Sequence, residues 1–140
     1  MPHRIDMLRR LQGRLLGIMR AAGPLFSSSP ANANLEALQH LRAEMAEALA
    51  NYQEFVHRDI FEHAASEGTA DELSDALDLR LSCIQLQRDY ADFCSQWARK
   101  NALGSWMEYR LGAVRMMKQV RDHVRHAQEP RSCQIMRRVA

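Results

Sequence analysis

LQHLRAEMAEALANYQEFVHRDIFEHA, residues 38 to 64, carries apolar side chains at Leu38, Leu41, Met45, Leu49, Tyr52 and Val56. Steps of three and four residues put these on one side of an α-helix, and no stretch of the chain shows the alternation a half-buried strand requires. The class this predicts is all-α. The same segment ends in FVHRDIFEHA, residues 55 to 64, where two histidines and two acids sit among apolar residues. Whether they hold a metal or merely decorate a helix is the question on which function turns.

Working outward, Asn34 can cap this second helix, which continues to about Ala65 before Glu67 and Gly68 end it. The first helix is expected from Ile5 to Ala22, with Met7, Leu8, Leu11, Leu15, Ile18 and Ala22 inward, and GPLFSSSPANAN, residues 23 to 34, is expected to break it. Thr69 followed by Glu72 is a capping box that opens a third helix running to about Lys100, with Ala76, Leu79, Cys83, Leu86, Tyr90 and Trp97 inward. After the short NALGS turn a fourth helix carries Met107, Leu111, Val114, Met117 and Val124 and must stop by Pro130. Short turns between the second, third and fourth helices force neighbours to run antiparallel, so the expected architecture is an up-down-up-down four-helix bundle. Residues 1 to 128 form its single domain and 129 to 140 a flexible basic tail.

Composition narrows the class further. At 140 residues the chain is long enough to bury a core. It has no eighteen-residue apolar run and no secretory leader, so a cytoplasmic protein without a membrane span is expected. Cys83, Cys94 and Cys133 form no CxxC pair and are odd in number, which argues against a disulfide framework. Only Lys100 and Lys118 of the nineteen basic residues are lysine, a bias that fits a GC-rich bacterial genome. Five arginines against Asp6 mark residues 1 to 22, and seven bases against Asp122 and Glu129 mark residues 115 to 140, whereas fourteen acids face seven bases between. Basic helices packed beside acidic ones account for this pattern, and no nucleic-acid partner is expected. Nucleotide-binding and hydrolase signatures such as GxxxxGK[ST], GxGxxG and GxSxG are absent.

Rotation at about 100° per residue from Tyr52 brings Asp59 and His63 within roughly 20° of the inward direction and leaves His57 about 140° away. Two side chains four residues apart on one face can share a hydrogen bond or a metal ion. In the expected topology His3, His57, His63, His123 and His126 gather at one end of the bundle. A metal site would therefore use Asp59, His63 and one of His3, His123 or His126, with a single divalent ion such as zinc or iron. The structural alternative is an Asp59–His63 pair, or Asp59 paired with Arg110 or Arg121.

YQEFVHRDIF, residues 52 to 61, and DHVRHAQE, residues 122 to 129, resemble the second- and fourth-helix elements of the hemerythrin-like (HHE) cation-binding domains. In this resemblance Tyr52 and His123 occupy histidine positions, Val56, His57, Ala127 and Gln128 occupy glutamate positions, and Ile60-Phe61 stands for the Leu-Phe step. The resemblance implies a four-helix bundle. It also implies loss of the di-iron site, because Tyr52 replaces a ligand and no histidine lies in the third helix, where the family supplies an HxxxH pair. The expected function is a non-enzymatic regulatory or protein-interaction bundle without a cofactor, binding a protein partner or itself. The alternative is an atypical metal-binding or sensory protein using the histidine-rich end.

Overall fold

The computed structural model of the chain describes residues 3–27 and 34–127. The expected tail, Cys133 with it, and residues 28–33 of the expected loop lie outside the described residues. Helices α1 (His3–Phe26), α2 (Leu35–Phe55), α3 (Glu62–Glu67), α4 (Ala70–Arg99) and α5 (Trp106–Ala127) make up the fold, and no strand forms among the described residues. A π-helical turn, Val56–Phe61, joins α2 to α3 without a break, so the pieces make four rods.

Local chemistry sets the rod ends. Asn34 Oδ1 accepts the Ala37 N–H at 3.0 Å and caps α2, while Thr69 Oγ1 accepts the Glu72 N–H at 3.2 Å and caps α4. Between them Gly68 lets the chain leave α3, because a Cβ there would meet the Ala64 carbonyl oxygen at 2.7 Å. The first rod runs past its expected end, through Gly23 and Pro24 to Phe26. A proline this close to a helix terminus removes a single backbone donor. Burial of Phe26 against the rings of Trp106 and Tyr109 offsets that loss.

The rods pack in a closed ring: α1 on α2, α2 and the π turn on α4, α4 on α5, and α5 back on α1. Their buried faces meet in one core with two distinct levels. At one level Phe26, Tyr90, Phe93, Trp97, Trp106 and Tyr109 form an aromatic cluster centred on Tyr109, whose ring lies 4.9 Å from Trp97, 5.7 Å from Phe93 and 5.9 Å from Trp106. At the other level Gln12, Tyr52, Ser82, Cys83 and His123 bring polar atoms into the interior.

The fourth rod buries Val124 and packs Met117 against the core as expected, but it turns the rest of its expected stripe outward. Met107, Leu111 and Val114 are 62%, 52% and 43% exposed, and the core side is Trp106, Tyr109, Ala113, Met116, Val120, His123, Val124 and Ala127. Both sets have helical spacing, so periodicity alone does not choose between them. The buried set carries the two large aromatic rings, and the greater apolar area removed from water decides the rotation. On α1 the expected Leu8, Leu15 and Ile18 are buried, but Met7 is exposed, and Gln12 and Met19 complete the buried face. Among the described residues no helix is long and apolar enough to cross a membrane.

Candidate functional site

Every rod contributes to the polar level of the core. Gln12 of α1 donates from Nε2 to the Tyr52 hydroxyl at 3.2 Å. Tyr52 of α2 lies 2.9 Å from His123 Nε2 of α5, and Ser82 of α4 lies 2.8 Å from His123 Nδ1. Cys83 Sγ approaches the same Nε2 at 3.6 Å. The Tyr52 and His123 rings meet edge to face with centroids 5.4 Å apart.

The protonation pattern follows from these contacts. Burial lowers the His123 pKa from its ordinary 6.5 to about 4, and the nearby His126 adds to the effect, so the imidazole is neutral at pH 7. A neutral imidazole has one donor and one acceptor. With Gln12 donating to the phenol oxygen, the Tyr52 proton is directed to His123 Nε2, and Nδ1–H is then the donor to Ser82 Oγ. Burial also raises the pKa of the Tyr52 phenol well above its ordinary value and pushes the Cys83 thiol up to about 12. The level therefore holds neutral groups in a directional chain, a poor setting for a nucleophile or an acid-base pair working near neutrality.

The residues singled out by rotation lie elsewhere. Asp59 and His63 do not face inward as a pair: their side chains are 37% and 23% exposed. Asp59 has Arg58 at 3.9 Å, and His63 has Glu67 at 3.5 Å. The inward places belong to Ile60 and Ala64, both fully buried. The π turn is the cause. At Val56–Phe61 the backbone bond from Glu62 N–H reaches back five residues to the His57 carbonyl, which inserts one residue into the helical register. Positions within and beyond the turn are displaced by one, and Asp59 and His63 yield to Ile60 and Ala64. The same register pairs His57 with Glu62, five residues on, at 3.1 Å, and stacks His57 on Phe61.

Among the described residues the histidines are held apart by partners of their own. His40 pairs with Glu44, His57 with Glu62 and His63 with Glu67, while His123 is occupied in the core. His126 is exposed. The side chain of His3 lies outside the described residues. Among the described residues no three His, Cys, Asp or Glu side chains come together to hold a metal. A di-iron centre requires several histidines with bridging carboxylates from facing helices, and the donors at the polar level are an amide, a phenol, a hydroxyl, a thiol and one imidazole. These residues do not fit that group.

Two of the polar-level residues, Gln12 and Ser82, are absent from the sequence-derived set. Gln12 carried a usable signal, since it stands four residues after Leu8 and three before Leu15, on the buried stripe itself. Ser82, beside Cys83 on α4, carried none, because its contact with His123 depends on how the helices are rotated against each other. No known protein family, curated protein or solved structure matches the chain.

Proposed function

We propose that the chain is an up-down-up-down, antiparallel four-helix bundle of the hemerythrin-like type that acts as a non-enzymatic regulatory or protein-interaction module. The topology is supported by the order of the two core levels along each rod. The first rod passes from Gln12 to Phe26, the second returns from Arg42 beside Tyr109 to Tyr52, the third goes from Ser82 to Trp97, and the fourth returns from Trp106 to His123. The family resemblance is supported by the 2.9 Å approach of Tyr52 and His123, the two residues it sets on histidine positions.

The observation that carries the interaction reading is the exposed stripe of Met107, Leu111 and Val114 on α5. Single exposed apolar residues are ordinary, but aligned ones on one helix face mark a contact surface. A second copy of the chain is the occupant we favour. Sedimentation over a wide concentration range tests it: the wild type should self-associate, and Met107→Glu with Leu111→Glu should yield a monomer with an unchanged circular dichroism spectrum and melting temperature. A wild type that stays monomeric throughout would sink the self-association reading. Metal analysis of freshly purified protein tests the other half, and two irons per chain would overturn the loss of the di-iron site.

A further inference from the structure

The aromatic level is not completely filled. A cavity of about 50 Å³ runs between all four rods, lined by Met19, Met45, Phe93, Met116 and Met117 among other apolar side chains. Arg42 of α2 reaches into the same lining, with its guanidinium 5.6 Å from the centroid of the Tyr109 ring. Its Nη1 is buried and has no hydrogen-bond partner among the described residues. Among the described residues no carboxylate pairs with it. A guanidinium donor kept from water and left unmatched is costly, and a chain that retains one at the wall of an apolar cavity has a place for an anion.

The neighbours do not provide that anion. Burial raises the pKa of Tyr90, Cys94 and Tyr109, each above its ordinary value, so all three face Arg42 uncharged at neutral pH. The Tyr109 π-face compensates the cation only in part. No group among the described residues supplies the negative charge that Arg42 lacks.

We propose that this cavity binds a single-chain aliphatic anion, with its carboxylate or phosphate head on Arg42 and its tail among the methionines. A guanidinium matches either head through paired hydrogen bonds. At about 50 Å³ the cavity is smaller than the roughly 150 Å³ that accommodates benzene in an engineered apolar cavity, so a tail enters only as the lining gives way. Four of its lining side chains are methionines, Met19, Met45, Met116 and Met117, whose unbranched thioethers swing aside more easily than branched residues.

Titration calorimetry on the full chain tests this, with Trp106 fluorescence as a second readout. Octanoate, octyl phosphate, octanol and octylammonium are each used below their micellar concentrations. One or both anions should bind, about tenfold or more tighter than octanol, with octylammonium weakest. Preference between octanoate and octyl phosphate identifies the head group. Arg42→Gln should reduce the anions to the affinity of octanol, and Ala113→Met, which fills the lining from α5, should weaken the anions and octanol together. Failure of both anions to bind, equal binding of octanol, or anion affinity retained in Arg42→Gln would overturn the proposal. If Arg42→Gln does not fold, the head-group series on the wild type still decides.

Discussion

The two levels of the core solve the same problem of joining four helices in opposite ways. At the polar level Gln12, Tyr52, His123 and Ser82 are linked by directional bonds of 2.8 to 3.2 Å, so a shift of any one rod breaks a partner on another. At the aromatic level contacts are made by ring faces and edges, which tolerate small displacements, and a void remains beside them. Directional bonding makes the polar level sensitive to the position of each rod, whereas the aromatic level buries large ring area without that constraint. The comparison also separates Tyr52, His123 and Ser82, bonded to one another across the rods, from Arg42, whose buried Nη1 has no partner among the described residues.

The largest effect should come from the aromatic level. Tyr109→Ala removes the ring that Phe26, Phe93, Trp97 and Trp106 all touch and should cost about 3 to 5 kcal/mol in denaturant unfolding. A loss below about 1 kcal/mol would mean that the cluster collapses around the gap and is not the main source of stability.

Acid should attack the polar level next. His123 is neutral in the folded chain down to about pH 4, whereas in the unfolded chain it takes up a proton near 6.5. Between those values the unfolded state binds more protons, so stability falls as pH falls through this window and is restored above it. At about 1.4 kcal/mol per tenfold change in proton affinity, the full loss is roughly 3 kcal/mol. Unfolding curves from pH 7 to 4 should show it, and His123→Gln should flatten the slope. An unchanged slope in that variant would place the acid sensitivity elsewhere.

Removing one hydroxyl should have a smaller effect. Tyr52→Phe keeps the ring but leaves His123 Nε2 and the Gln12 amide without their shared partner, at about 1 to 3 kcal/mol. A neutral result would show that water or Cys83 takes over the bond, and that the polar chain is less specific than its distances indicate.

The smallest effects belong outside both levels. Asp59→Ala and His63→Ala should each change stability by no more than about 0.5 kcal/mol, because both side chains are partly exposed and their partners sit at the surface. Zinc should not raise the melting temperature, as it would if it bound only the folded state. A loss of 1 to 3 kcal/mol in either variant would contradict the register that the π turn imposes.

Helices and caps were legible in the residues themselves, because their causes are local. Asn34 and Thr69 cap where side-chain oxygens can reach the next turn, and Gly68 ends α3 where no Cβ fits. The stripe from Leu38 to Val56 repeats at the helical period over five turns, and a signal of that length survives any tertiary arrangement. Tertiary structure alone decided what depends on contact between rods. It selected Trp106 and Tyr109 over Met107 and Leu111 as the buried face of α5, since two stripes with equal spacing differ only in what they meet. It also decided the π turn, whose one-residue insertion has no periodic signature and yet moved Asp59 and His63 off the inward face. For the same reason the periodicity did not join Ser82 to His123: they are 41 residues apart, and only packing brings their atoms to 2.8 Å.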